Sequence, residues 1–352
     1  MSIKIGLLRG DGIGPEIVDA AQRLAAAAAV KKGVEIEWVH YPIGWEAIHQ
    51  HDIAVPASTK QGLETCDSWI MGPHDSAAYP GNLAKPRNPS GELRHYFDLY
   101  ANIRPARNYP GLKSLVDADL IVVRENTEGF LADRNMFSGV GEFMPTEDTA
   151  LCIGVFTRKA TERIAKVACE LAMSRKKHLT IVHKANVIQT AFGFFRDVCQ
   201  EVAEGYPELT VDDHHIDAMT AHLVKRAEDF DVIVTENLFG DILSDLAGEL
   251  VGSLGLSPAL NTNDDMGMAQ AAHGSAPDIA GKGIANPVGL MLSTVMMFQW
   301  LGQKKGNHAI SEIGDLIDSA ILKTLAGDIL TPDIRGGRAS TDEFTDAMIA
   351  NL

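Results

Sequence analysis

Residues 235–256 read TENLFGDILSDLAGELVGSLGL, an apolar, glycine-punctuated stretch carrying two aspartates, Asp241 and Asp245. At helical spacing these carboxylates project from one face and can close on a single cation. Hard oxygen donors favour magnesium or manganese over zinc. A lone DxxxD is more often an acidic helix N-terminus favoured by the macrodipole. Here the neighbours are apolar and Asn237 stands beside the pair, where a solvated charge has little reason to be, so a metal-ligand role is expected. Asp217, in HHIDAMTAHLV, is a third candidate carboxylate.

Working outward, the apolar run 232–235 just before this helix reads as a strand, and similar runs at 68–71, 120–123 and 180–183 alternate with helical stretches. The chain opens the same way, with a strand over 4–8, a glycine-rich turn over 10–14, and a helix from Pro15 through the alanine run ending near Val30. A further strand follows over 35–40. Pro at the start of a helix and a regular strand and helix alternation predict an α/β architecture. Residues 137–149 break the rhythm with Gly139, Gly141 and Pro145, and are read as an extended arm or a plain surface loop. No linker marks a domain boundary. This suggests two lobes exchanging strands, with a discontinuous first domain.

A chain of 352 residues can bury a sizeable core. Its 45% apolar and 22% charged content is that of an ordinary globular protein. The net charge of -16 argues against a general nucleic-acid or anionic-membrane surface, although a local arginine cluster can still bind an anion. Cys66, Cys152, Cys169 and Cys199 lack CxxC spacing, so neither a zinc knuckle nor a dithiol motif is expected. The N-terminus begins directly with a strand-like run, and the apolar stretch 290–301 is too short to span a bilayer. A soluble protein of the reducing cytoplasm is expected.

Arg94 and Arg104 lie in GELRHYFDLYANIRP, and Arg124 ends a strand in VVRENTEG. A guanidinium fork matches a carboxylate bidentately, so several arginines from separate elements suit a di- or tricarboxylic acid, while each alone is also a common structural ion pair. Lys184 follows the strand in TIVHKANV, beside Asn186, where burial and neighbouring positive charge suit a lysine to general-base work. The loop AAHGSAPDIAGKGIANP supplies His273, Gly274, Ser275, Ala276, Pro277, Asp278, Ile279 and Asn286 as candidate cofactor contacts. Its glycines permit close backbone approach, and Asp278 can accept two hydrogen bonds from a ribose diol while repelling a 2'-phosphate, which favours NAD over NADP. The N-terminal GDGIGPE is not GxGxxG, so no Rossmann fingerprint is read there.

Taken in order, GDGIGPEI, LRxxxDLYANIRP, VRENTEG, HKAN, the Asp217 segment, NLFGDILSDLAGELVGSLGL, HGSAPDIAGKGIANP and TPDIRGGRAS resemble the isocitrate/isopropylmalate dehydrogenase family of metal-dependent β-decarboxylating dehydrogenases. The resemblance covers nearly the whole chain. It implies an isopropylmalate dehydrogenase-like, non-Rossmann two-domain fold: a large cofactor-binding domain from 1–100 and 256–352, and a central substrate, metal and dimerisation domain over 101–255. It also implies a homodimer with shared active sites. Arg94, Arg104 and Arg124 would hold the malate moiety, Asp241 and Asp245 would bind magnesium or manganese with Asp217 of the other subunit, and Lys184 would help deprotonate the 2-hydroxyl. Asn186 is read as a further substrate contact.

Two departures from the family pattern stand out. Leu131 occupies the place where members usually carry a tyrosine that helps protonate the enolate, so decarboxylation or tautomerisation is expected to be slow, rerouted or absent. The segment before Arg94, which in the family selects the group at C3, reads PRNPSGELR and offers Asn88, Ser90 and Gly91 where isopropylmalate dehydrogenases have a leucine-rich patch. Such a wall suits a polar or carboxylated substituent, or a smaller acid such as tartrate or D-malate, better than an isopropyl group. The expected activity is therefore NAD-dependent oxidative decarboxylation of a (2R)-malate-type 2-hydroxy acid. A non-catalytic subunit that binds the same acid, and a lyase acting on a ready-made 2-oxo acid, are the alternative readings.

Overall fold

The computed structural model describes residues 2–83, 88–131 and 141–352. Strand β1 (Ser2–Leu8) runs through the glycine turn into α1 (Gly14–Lys31), with proline in the first turn. Ala20, Ala21, Ala25, Ala28 and Ala29 lie buried along one face of this helix, so its thin side bears directly on the core. It stops at Gly33, whose φ of 66° is a left-handed conformation that glycine adopts without strain.

The elements that follow are β2 (Glu35–His40), α2 (Trp45–His51), α3 (Ala57–Leu63), β3 (Ser68–Met71), α4 (Pro89–Tyr96), β4 (Ala101–Arg107) and β5 (Asp119–Glu125). The central part adds β6 (Glu142–Thr146), β7 (Thr149–Cys152), α5 (Arg158–Met173), β8 (His178–His183), α6 (Gln189–Ala203), β9 (Thr210–His215), α7 (Ile216–Arg226), β10 (Val232–Thr235) and α8 (Asn237–Val251). The chain closes with β11 (Leu260–Thr262), β12 (Gly267–Ala269), α9 (Val288–Lys305), α10 (His308–Leu325) and α11 (Thr341–Ala350).

One mixed sheet of ten strands runs through the molecule in the order β2-β1-β3-β12-β11-β4-β5-β10-β8-β9. Both flanks are parallel, as expected of strands joined by crossover helices. The middle is antiparallel, because β11 pairs with β12 on one side and β4 on the other, and β4 pairs with β5. The short strands β11 and β12 thus stitch the late part of the chain between β3 and β4. All the strands read from sequence are present. Those the sequence reading did not pick out are β4, which contains Pro105 and two arginines, the polar edge strand β9, and the short or exposed β6, β7, β11 and β12.

Among the described residues four apolar clusters form the core. Two combine residues up to Tyr109 with residues from Leu256 onward or with Met268, and the other two lie wholly between Tyr100 and Val251. The apolar stretch 290–301 becomes the middle of α9, buried around most of its circumference against α1 and α10. A helix apolar on all sides is a core helix in a protein of this size. No helix among the described residues is long and apolar enough to cross a membrane. The segment read as an arm contains β6 and the first residue of β7, an antiparallel pair exposed along its length, while 137–140 lie outside the described residues.

Candidate functional site

Helix α8 starts where the parallel strand β10 ends, and its capping residue Glu236 accepts hydrogen bonds from the Leu238 and Phe239 amides at 3.1 and 2.7 Å. That start sets the helical phase, so Asn237, Asp241, Ser244 and Asp245 share the face turned toward β4 and β5. Arg104 projects from β4 and Arg124 from β5, and they are only 7% and 2% exposed. Burying two guanidinium groups is costly unless their donors are used.

They are used on α8. Arg124 donates through Nε and Nη2 to Asn237 Oδ1 at 3.0 and 2.7 Å, and through Nη1 to Asp241. Arg104 donates through Nη1 to Ser244 Oγ at 2.7 Å and through Nε to Asn102 Oδ1 at 3.2 Å. The same Nη1 lies 3.3 and 3.4 Å from carboxylate oxygens of Asp241 and Asp245. Burial pushes the Asp241 carboxyl up, but Arg124, Arg104 and Arg94 outweigh it and hold the group below its ordinary value. Asp245 goes the other way, because burial and the Asp241 charge exceed what Arg104 offsets.

Arg94 reaches the same place from α4, with Nη2 donating to Gln270 Oε1 at 3.2 Å. Ser90 Oγ donates to that oxygen at 2.7 Å. Asn88 caps α4 by accepting the Gly91 amide at 3.1 Å, and its Oδ1 also lies 3.1 Å from His74 Nε2. Arg94, Arg104, Arg124, Asp241, Asn88, Ser90, Gln270, His74 and Leu131 all line one cavity of about 390 Å³. Another cavity, of about 320 Å³, lies on the opposite face of β4 and is also lined by arginines. There Arg107 pairs with Asp318, and Arg175 pairs with Asp119 and Asp231, so its wall offers little net charge to an anion.

A neighbouring cavity of about 370 Å³ is built from the loop that the sequence marked as a cofactor segment. His273, Gly274, Ala276, Ile279 and Asn286 line it, together with Ile13 and Asp333, and His273 and Gly274 belong to both cavities. The glycine turn supports this loop: the Ile13 amide donates to the Ser275 carbonyl at 2.9 Å, and a β-carbon on Gly12 would stand 2.0 Å from that oxygen. Asn286 is partly occupied, with Nδ2 donating to Asp333 Oδ2 at 2.9 Å and Oδ1 accepting the Val288 amide at 3.0 Å. Pro277 and Asp278 are exposed in the same loop and do not line the cavity.

Lys184 and Asp217 are brought together with each other and not with the arginines. Lys184 Nζ lies 2.5 Å from Asp217 Oδ1, and this contact holds the Asp217 carboxyl below its ordinary value. Neither lines the acid cavity, and Asn186 beside them is exposed. Among the described residues no group of three His, Cys, Asp or Glu side chains within this one chain is arranged to hold a metal. Sequence reasoning did not name His74, Gln270, Ile13 or Asp333 as site residues, although Ile13 and Asp333 lie in the GDGIGPEI and TPDIRGGRAS segments that carry the family resemblance.

The mixed α/β sheet, an arginine-lined acid cavity and an adjoining glycine-rich cavity together describe a dehydrogenase of hydroxy acids, and comparison with known proteins agrees. The chain belongs to the isocitrate/isopropylmalate dehydrogenase family, whose sequence model matches residues 4–348. It is 40% identical to an isocitrate/homoisocitrate dehydrogenase of Thermus thermophilus over 100% of this chain and 99% of that protein. It is 39% identical to a 3-isopropylmalate/3-methylmalate dehydrogenase of Methanocaldococcus jannaschii, covering 97% of each. The crystal structure of isocitrate dehydrogenase from Methylococcus capsulatus superposes with a TM-score of 0.88 at 35% identity over 99% of both chains.

Proposed function

We propose that the protein catalyses NAD-dependent oxidative decarboxylation of a (2R)-malate-type 2-hydroxy acid with magnesium or manganese. The observation that carries this reading is the convergence of Arg94, Arg104 and Arg124, from three separate elements, on a cavity whose wall also holds Asp241. Three guanidinium groups suit two carboxylates of one small acid. The relatives at 35–40% identity are named for isocitrate, homoisocitrate, 3-isopropylmalate or 3-methylmalate, which all contain that acid core.

The residues present fit both absent groups. Asp241 and Asp245 are oxygen donors on successive turns of α8, each about half exposed, a hard-donor pair suited to magnesium or manganese. In the cofactor cavity, His273 Nδ1 lies 3.0 Å from the Gly274 carbonyl, which only accepts, so Nδ1 carries the proton and Nε2 presents a lone pair. That Nε2 is buried without a partner among the described residues, as befits an atom awaiting a donor on a dinucleotide. When bound, such a cation would supply Lewis acidity at the 2-hydroxyl, and a nicotinamide would supply the hydride acceptor.

The chain's own residues then divide the work. The arginines clamp the carboxylates, Asp241 and Asp245 hold the cation with Asp217 from a second copy, and Lys184 of that copy receives the 2-hydroxyl proton. This reading requires a homodimer. Phe143, Met144 and Val187, 42, 63 and 66% exposed on the arm and beside Lys184, support a second copy seated there. With it go a large domain from 1–100 and 256–352, a central domain over 101–255, and a cytoplasmic location.

Leu131 favours one variation. It lines the acid cavity, so a side chain without a transferable proton faces the substrate, and oxidation with slow decarboxylation is the second reading. NADH and carbon dioxide measured from a panel of 2R-hydroxy acids with manganese and NAD test both. Metal-dependent NADH with equimolar carbon dioxide supports the first, NADH in excess supports the second, and silence from every acid sinks both.

A further inference from the structure

Asn88 Oδ1 accepts the Gly91 amide at the start of α4, which fixes the oxygen at that position of the side-chain amide. A carbonyl oxygen only accepts, so His74 Nε2, 3.1 Å from it, carries a proton and donates. The remaining ring nitrogen, Nδ1, is buried and has no hydrogen-bond partner among the described residues. Protonation does not relieve it, because burial, with Arg94 adding, pulls His74 down to about 4. His74 and Asn88 thus form a wall of the acid cavity that holds a buried acceptor, locked by tautomer and without a donor among the described residues. Leaving a buried acceptor unmet is costly, and a correctly placed donor recovers that cost.

Ligand chemistry follows from that single lone pair. A hydrocarbon branch leaves it unmet. An additional carboxylate brings more acceptors and is repelled by it. A hydroxyl satisfies it, and Ser90 and Asn88 add further polar neighbours on the same wall, beside Arg94. Within the proposed function, on which this step rests, Arg104, Arg124 and Asp241 lie on a different wall and engage the carboxylates and the 2-hydroxyl, which leaves the third carbon for the His74 wall.

We infer that His74 is a specificity-determining residue whose Nδ1 accepts a hydrogen bond from a hydroxyl on C3, so that the preferred substrate is a 2,3-dihydroxy dicarboxylic acid. The test compares kcat/KM for the stereoisomers of 2,3-dihydroxysuccinate with (2R)-malate, 3-isopropylmalate, isocitrate and homoisocitrate, using the whole protein with manganese and NAD. Wild type prefers one dihydroxy isomer over malate by roughly 10- to 100-fold. His74→Leu collapses that ratio to within about threefold of unity, and His74→Gln, which restores a neutral acceptor, recovers part of it. A variant that merely loosened the fold lowers all substrates alike and leaves the ratio standing, which overturns the assignment.

Other outcomes separate this idea from the reading beneath it. Metal-dependent oxidation with isocitrate, homoisocitrate or 3-isopropylmalate preferred keeps the dehydrogenase and removes the role of His74. A His74→Leu effect confined to KM for NAD, equal for every acid, assigns the missing donor to the nicotinamide carboxamide and also overturns it. No NADH from any acid removes the proposed function itself.

Discussion

Gly240 and Arg124 pack so closely that a β-carbon on Gly240 would stand 2.5 Å from Arg124 Cγ and 2.6 Å from its Cβ. No real contact is that short, and Arg124 is 2% exposed and tied to Asn237 and Asp241, so it has no room to yield. The glycine exists because α8 must lie directly on the arginine it helps to hold. Gly240→Ala therefore displaces the guanidinium from the acid cavity. We expect a loss of roughly 1–3 kcal/mol in stability from overpacking, and an increase in KM for the acid of at least about tenfold. Thermal melting with steady-state kinetics checks both, and an unchanged KM in a folded variant would separate Arg124 from acid binding.

Asp241→Asn keeps the shape of the side chain but removes one of two adjacent carboxylates. Metal affinity and metal-dependent turnover should fall roughly 100-fold or more while circular dichroism is unchanged. Manganese titration by electron paramagnetic resonance reads the affinity directly. A variant that still binds manganese as wild type does takes Asp241 out of the metal site.

Glu125 gives a pH signature. Burial raises its carboxyl to about 7, against partial relief from Thr127 and the Glu128 amide. Between about 4.5 and 7 the folded protein therefore holds a proton that the unfolded chain releases, so this group's stabilising contribution is full below that window and is lost as pH rises through it. Glu125→Gln removes the titration and keeps an acceptor for the loop amides. Relative to wild type it should gain on the order of 1–3 kcal/mol on passing from pH 4.5 to pH 8 in urea unfolding. A difference between the two proteins that does not change with pH refutes the buried acid.

Leu131 lines the acid cavity, so Leu131→Tyr places a phenol proton where the leucine offers none. If decarboxylation lags in wild type, the variant raises the ratio of carbon dioxide to NADH toward one, with little effect on KM. A ratio already at one in wild type and lowered by the tyrosine reverses this account.

The parts of the site that the sequence revealed are those whose chemistry is local. Asp241 and Asp245 announce themselves by helical spacing, and Arg124 by ending an apolar strand. Arg104 was found while its strand was not, since Pro105 and two arginines disguise β4, which becomes a strand through pairing with β5 and β11. His74 and Gln270 carried no signal at all. His74 matters through the amide that caps α4, and Gln270 through Ser90 and Arg94, from which it is separated by 180 and 176 residues. Such relationships belong to the sheet order, and no spacing rule contains them.

Lys184 and Asp217 bear directly on that order, because within one chain they face each other and not the acid cavity. The proposed shared site in a symmetric dimer would account for them, and it makes a numerical prediction. Asp241→Asn and Lys184→Met are each inactive alone. Mixed in equal amounts and allowed to exchange subunits, half of the dimers contain one of each. In such a dimer one site collects both lesions, and the other collects an intact Asp241 with an intact Lys184. Activity should therefore return to about one quarter of wild type. A site built within a single chain carries one lesion in every copy, so no activity returns however long the subunits exchange, and that result would remove the shared site and place Lys184 in the same chain's site as Asp241.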